Sequence, residues 1–122
     1  LYAILCYNSE AVVEAWTKEK DEAVMSRHEA VMRKLAAQGK LGPVARLMPT
    51  TTATSLRPGP DPVILDGPFA ETKEQLLGFF IVECASLDEA IEAARDYAAA
   101  SSSAGAFEIR PLRLFQPGSL AR

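Results

Sequence analysis

Leu76-Leu77-Gly78-Phe79-Phe80-Ile81-Val82-Glu83-Cys84 is the strongest strand pattern in the sequence, because it is a long apolar run rich in strand-forming residues. Phe79 and Ile81 lie on one face of this strand, and the apolar residues that follow each of them lie on the other. A sheet that contains a strand apolar on both faces needs an apolar cover on each side. The run therefore predicts a sheet with helices on one face and a second cover on the other.

The segments around this strand alternate between strand and helix patterns. In chain order they are a strand (2–7), a helix (17–38) with Thr17 as its N-cap and Gly39 as its stop, a strand (44–48), a hairpin (50–65), a helix that begins at the capping box of Ser86 and Glu89, and a strand (107–115). This order predicts an α+β fold, a ferredoxin-like sandwich of two βαβ units with an inserted hairpin. We expect a single domain over residues 1–122, with residues 117–122 as a frayed tail.

The second cover of the sheet is expected to be another copy of the chain. Two helices cover only one face of a four-stranded sheet, so the opposite apolar face can pack against the same face of a second protomer about a two-fold axis. The alternative left open by the sequence is that the hairpin within residues 44–65 folds back over this face. The first interpretation predicts a homodimer.

The composition excludes several classes of function. The chain has a net charge of −3 and no clustered excess of Lys and Arg, so no nucleic-acid partner is expected. No apolar run approaches the roughly 20 residues of a membrane span, and no signal-peptide pattern opens the chain, so we expect a cytoplasmic protein. The single histidine and the widely separated Cys6 and Cys84 argue against a zinc site, and no glycine-rich phosphate loop is present. No metal or cofactor is therefore expected.

The segment Asp66-Gly67-Pro68-Phe69-Ala70-Glu71-Thr72-Lys73-Glu74-Gln75-Leu76 resembles the signature of the DGPF proteins, which are part of the YCII-related family. The resemblance covers nearly the whole chain, including Leu87-Asp88-Glu89-Ala90 and Glu108-Ile109-Arg110-Pro111. It implies a ferredoxin-like fold that pairs into a dimeric α/β-barrel, and small bacterial cytoplasmic proteins without an established biochemical activity. It also implies a His and an Asp that share a pocket in YCII relatives, and a sigma factor as a candidate partner.

Three roles are open for the signature itself: a structural one, a ligand-binding one, and a contact between the two protomers of the dimer. Asp66 and Gly67 favour a tight turn, Pro68 restricts the backbone, and Phe69 supplies a large apolar side chain. In the structural interpretation Phe69 fills the core, so that Phe69→Ala would destabilise the fold more than Asp66→Ala. In the functional interpretation the loop faces a ligand, with Asp66 as an acid-base group or polar anchor. The five residues after Ala70 are compatible with one helical turn.

His28 is the other candidate for chemistry. It lies on the stripe of Val24, Val31 and Leu35, which the helical spacing turns toward the core. One interpretation is a hydrogen-bonded core histidine. The other is a general base beside Asp66, since an aspartate commonly orients a catalytic histidine.

The predicted catalytic residues are therefore His28 and Asp66. The predicted ligand-binding residues are Tyr7, Met48, Asp66, Gly67, Pro68, Phe69 and Arg110. Arg110 has a surface ion pair as its alternative role. The expected function is small-molecule binding by a homodimer near the signature. The alternatives are an enzyme that uses His28 and Asp66 for proton transfer on a small organic substrate, and an interaction partner of a sigma factor.

Overall fold

The computed structural model describes residues 1–101 and 105–120 as a mixed α+β fold with antiparallel sheets. The elements are β1 (Tyr2–Asn8), α1 (Glu10–Glu14), α2 (Lys18–Ala37), β2 (Leu41–Arg46), β3 (Thr54–Arg57), β4 (Val63–Asp66), β5 (Gln75–Val82), α3 (Leu87–Ser101) and β6 (Ala106–Pro111). The end of the predicted tail, 121–122, lies outside the described residues. In the described ranges, no helix has the length and apolar character needed to cross a membrane.

The main sheet has four strands in the order β2-β5-β1-β6, and each neighbouring pair is antiparallel. The strongest predicted strand, β5, therefore lies inside the sheet beside β1. The predicted α+β class is confirmed, and the strand order is compatible with a ferredoxin-like fold. The predicted hairpin is present as a separate two-stranded sheet of β3 and β4.

The core lies between the sheet and the two longer helices. Ile4 on β1 and Phe80 and Val82 on β5 are at most 1% exposed. They pack against small residues of α3, namely Ala90, Ala93 and Ala94. Alanines at this helical spacing let α3 approach the sheet closely, while Leu35 of α2 closes the other side of the cluster.

The start and end of α2 and the start of α3 lie where the sequence predicts. Thr17 Oγ1 accepts a hydrogen bond of 3.1 Å from Lys20 N at the start of α2, and Gly39 has a φ of +69° just after its end. At α3, Ser86 Oγ accepts from Glu89 N, as predicted for the capping box. The Glu89 carboxylate pairs with Lys40 Nζ at 2.6 Å, and so ties α3 to the start of β2.

Three local predictions are wrong. Thr50–Thr52 forms a short 3-10 turn instead of extended chain, because Ala53 N donates to Thr50 O. Residues 71–75 form no helical turn, and Gln75 already pairs with Asn8 as the first residue of β5. The last strand ends at Pro111 and does not continue to residue 115. In each case a contact distant in sequence or a proline determines the local conformation.

The face of the sheet away from the helices is also apolar, as the alternation in β5 predicts. The register places Ala3 opposite Ile81 and Leu5 opposite Phe79 on this face. Ala3 and Ile81 are 8% exposed, whereas Leu5 and Phe79 are half-buried. We call these four residues the non-helical face.

The hairpin of β3 and β4 packs mainly on itself and not against the main sheet. All four residues of β4 are exposed. Leu56 and Ile64 are cross-strand partners, and they are 62% and 72% exposed. The extensive cover that a hairpin folded back over the non-helical face would provide is therefore not seen in the protomer.

Candidate functional site

A cavity of about 390 Å³ lies at the end of the sheet where β1 ends and β5 and β6 begin. We call it the His28 cavity. Its walls are largely apolar and come from both longer helices, α1 and the sheet, with Cys6, Trp16, Met25, Met32, Val44, Tyr97 and Phe107 among the lining residues. Its volume lies in the range of roughly 300–1,000 Å³ that is typical of small-molecule sites.

His28 is a buried polar group in this cavity. The stripe of α2 turns it inward, and its ring stacks on the Tyr97 ring with centroids 3.8 Å apart and an interplanar angle of 7°. The residue is only 9% exposed, and neither Nδ1 nor Nε2 has a hydrogen-bond partner among the described residues. Buried polar atoms normally have partners, and an unpaired one costs about 1–3 kcal/mol. His28 is therefore packed in the core, as one interpretation of the sequence expects. Neither ring nitrogen has a partner with the geometry of a full hydrogen bond, although the Tyr97 backbone lies close enough to raise the pKa of the ring.

The buried groups around His28 are uncharged at neutral pH. Burial lowers the pKa of His28 to about 4. A contact with the Tyr97 backbone opposes this shift, and the positive charges of Arg27 and Arg46 reinforce it. Burial also raises the pKa of the Cys6 thiol and of the Tyr97 phenol to about 12. A neutral imidazole has one N–H donor and one acceptor nitrogen, so His28 can both give and accept a hydrogen bond.

Arg46 lies between the His28 cavity and a second, more open depression. Its guanidinium Nη2 is 2.9 Å from Asp21 Oδ1, and this ion pair is partly exposed. The second depression has a volume of about 610 Å³, and Met48 and Pro49 line it together with Trp16 and Arg46. We call it the adjoining groove, because Trp16 and Arg46 line both spaces.

The short helix α1 forms part of the wall between these spaces, and side chains from two other segments hold it in place. Gln75 Oε1 accepts a hydrogen bond of 2.9 Å from Glu10 N, and Gln75 Nε2 donates to Thr72 O at 2.6 Å. The Glu10 carboxylate accepts from Thr50 N at 2.7 Å and also from the Thr50 hydroxyl. The N-cap residue Ser9 makes no side-chain bond to the helix, and Gln75 Oε1 instead satisfies the first N–H group of α1.

Residues 66–74, which we call the signature loop, lie outside the His28 cavity. Gly67 has a φ of +96°, as its predicted place in a turn requires. Its N–H donates to Ala53 O at 2.7 Å, and its carbonyl accepts from Ser55 Oγ at 2.7 Å. Phe69 is 76% exposed, so the expectation that it fills the core is wrong for the protomer. The turn is fixed by backbone bonds to the start of the hairpin and does not depend on an aromatic anchor.

The structure brings together only part of the predicted site. His28 and Tyr7 line the His28 cavity, and Met48 lines the adjoining groove. The other predicted residues line neither space: Asp66, Gly67, Pro68, Phe69 and Arg110. His28 and Asp66 therefore share neither of these spaces within one protomer. Arg110 Nε lies 3.7 Å from Glu108 Oε2, and both side chains are exposed, which matches the predicted surface ion pair.

Tyr97 and Arg46 are among the cavity residues that the sequence prediction missed, although the sequence carries a signal for each. Tyr97 follows Ala94 by three positions and Ala93 by four, so it continues the buried stripe of α3. Arg46 follows Val44 by two positions, so strand alternation places both on the face that the helices cover. The described residues contain no group of three or more metal-ligating His, Cys, Asp or Glu side chains.

Comparisons with known proteins identify the family of the chain. The family model described as "YCII-related domain" matches residues 1–116. A protein of Rhizobium meliloti (strain 1021), described as uncharacterized, is 59% identical over 121 residues, which is 98% of each of the two chains. The similarity to this relative therefore extends over the residues of the His28 cavity as well as over the signature loop.

Proposed function

The chain belongs to the YCII-related family, and we propose that it binds a small organic molecule in the His28 cavity. The observation that carries this proposal is the His28 imidazole, which is 9% exposed and has no partner for either ring nitrogen among the described residues. A ligand with a hydrogen-bonding group would satisfy one of these nitrogens. The surrounding apolar walls would bury the rest of the molecule.

Binding without turnover fits the site better than proton-transfer catalysis. A general base works best when its pKa is near the operating pH, and it needs a partner that orients it. Burial lowers the pKa of His28 to about 4, and Asp66 does not line the same cavity. His28 is therefore suited to hydrogen bonding with a ligand more than to removing a proton from one.

His28→Leu is expected to weaken ligand binding about tenfold, because it removes both ring nitrogens and keeps an apolar side chain in their place. The probes are a set of small aromatic alcohols, amides and ketones, screened by thermal shift and then titrated by calorimetry. Ser26→Ala, at an exposed position of the same helix, is the matched control and should bind like the wild type. Equal affinities of wild type and His28→Leu for every bound probe would contradict the proposed role of His28.

We propose further that two copies of the chain pair through the non-helical face as a dimeric α/β-barrel. The protomer exposes 8695 Å², whereas a folded monomer of its mass exposes about 6,400 Å² by the usual size relation. The excess of about 2,300 Å² per protomer is more than the roughly 800 Å² that each partner buries in a standard interface. Half-buried Leu5 and Phe79 on this face supply the apolar contact that such an interface requires.

The projecting hairpin supplies a second apolar surface for the same dimer. A two-stranded hairpin is at best marginally stable on its own, and this one leaves Leu56 and Ile64 mostly exposed as a cross-strand pair. Contact with a second copy would cover this pair and stabilise the hairpin. The dimer therefore accounts for two exposed apolar features with one partner.

Ile64→Asp is expected to raise the dimer dissociation constant at least about tenfold, because it places a charge in the proposed contact. Ile64 is 72% exposed in the protomer, so the substitution should leave the fold intact. Sedimentation velocity over a concentration series measures the effect. Leu114→Asp, at a residue that is 73% exposed outside the hairpin, is the control and should dimerise normally. A wild-type protein that sediments as a monomer at low micromolar concentration would contradict the dimer.

A further inference from the structure

We infer that the His28 cavity selects an uncharged ligand and discriminates against carboxylates. The preferred ligand is an apolar ring system that carries a neutral hydrogen-bonding group, such as a hydroxyl or a primary amide. This inference rests on the proposed binding function and specifies the chemical class of the ligand. The charges, the hydrogen-bonding groups and the apolar walls of the cavity each favour such a ligand.

The charged side chains that line the cavity already have partners. They are Glu29 and Arg46. Glu29 Oε1 lies 3.6 Å from Arg33 Nη2, and Arg46 Nη2 lies 2.9 Å from Asp21 Oδ1. A ligand carboxylate would have to compete with Asp21 for Arg46, the cation that lines the cavity, because Arg27 does not line it and donates its Nε to Ala100 O. Placing an unpaired anion among apolar side chains is strongly unfavourable.

One polar group of the cavity wall is the neutral imidazole of His28. His28 is packed against Tyr97 and has both nitrogens unpaired among the described residues, so a ligand can meet either a donor or an acceptor there. To form a salt bridge with an anion, His28 would first have to gain a proton. Because the pKa of His28 is about 4, protonating it at neutral pH lowers the binding constant of such an anion roughly a thousandfold. A hydroxyl or an amide meets the neutral ring without that penalty.

The remaining walls fit an apolar ring. Met25 and Met32 come from α2, Trp16 follows α1, and Phe107 lies on β6. Methionine side chains adapt to the shape of a ligand, and aromatic side chains offer flat apolar surfaces. A planar hydrocarbon body with one polar end therefore matches the distribution of polar and apolar groups in the cavity.

The test compares three probes that share one ring system: 2-naphthol, 2-naphthamide and 2-naphthoate. Each is titrated by calorimetry at neutral pH into the wild-type protein. We expect the naphthol or the naphthamide to bind at least about tenfold more tightly than the naphthoate. His28→Leu should remove this preference for the neutral polar probes. His28→Gln should retain it, because the Gln amide also donates and accepts hydrogen bonds.

The outcomes separate this inference from the binding function on which it rests. If naphthoate binds as tightly as the neutral probes or more tightly, the inference is wrong, while the binding function stands. If neither variant changes the preference, His28 is not the group that selects the ligand, and the inference is again wrong. If none of the three probes binds to wild-type protein whose fold is verified by circular dichroism, the proposed binding function is overturned.

Discussion

Phe80→Ala is expected to lower the free energy of unfolding by about 3–5 kcal/mol, the usual range for truncating a buried aromatic side chain. Phe80 is 1% exposed and belongs to the core cluster with Ile4 and Val82. Its ring also contacts Tyr97, with centroids 4.9 Å apart, so the substitution leaves a void between the core and the His28 cavity. Urea unfolding followed by far-UV circular dichroism measures the loss.

Phe69→Ala is the matched control, because it makes the same change at a residue that is 76% exposed. We expect it to change the free energy of unfolding by less than about 0.5 kcal/mol. A loss at Phe69 that equals the loss at Phe80 would show that Phe69 is buried. Phe69 would then fill the core, as the signature sequence predicts.

Lowering the pH is expected to reduce the free energy of unfolding by up to about 3 kcal/mol through His28 alone. This contribution is present at pH values above the pKa of His28 in the unfolded chain. Burial lowers the pKa of His28 from 6.5 to about 4, so between these values the unfolded chain binds more protons than the folded one. The stability from this residue is therefore complete above pH 6.5 and declines as the pH falls toward 4. Besides burial, the groups that bear on this shift are the Tyr97 backbone, which favours the imidazolium, and Arg27 and Arg46, which disfavour it.

The control for this prediction is His28→Gln, which has a side chain without a titrating group. Carboxylates throughout the protein also titrate in acid, but they do so in both proteins. The difference between the unfolding free energies of wild type and variant, measured by urea denaturation at several pH values, therefore isolates His28. A difference that stays constant between pH 7 and pH 4 would mean that the folded protein accommodates the imidazolium as well as the unfolded chain does.

Hydrophobic patterns in the sequence predict the main elements because those elements follow from local spacing. The alternation in β5, the stripe of α2 and the stop at Gly39 each require only the periodicity of one segment. The helical spacing of the stripe also places His28 on a buried face. It does not reveal that both ring nitrogens lack a partner, because that depends on the atoms that α3 and the sheet bring near the ring.

In the signature loop, local sequence patterns do not predict the structure. Phe69 has the residue type of a core anchor, yet it is exposed because the loop follows a hairpin that packs mainly on itself. Gln75 ends a segment that is compatible with a helical turn, yet its side chain accepts a hydrogen bond from Glu10 N at the start of a different helix, α1. Both outcomes are set by tertiary contacts between segments far apart in sequence. Neighbouring residues carry no information about such contacts.

The bond between Gln75 and Glu10 has a thermodynamic consequence for the signature loop. Gln75 directly follows the loop and donates to Thr72 O within it, and it holds α1 by accepting from Glu10 N. The helix α1 precedes Trp16 at the wall of the His28 cavity. A ligand that stabilises α1 in the position where Glu10 bonds to Gln75 also stabilises the loop conformation that goes with this bond. The reason is that linkage between two sites is reciprocal. Amide hydrogens of residues 66–74 should then exchange more slowly when the cavity is occupied. Substitutions in this distant loop would change ligand affinity without any contact with the ligand.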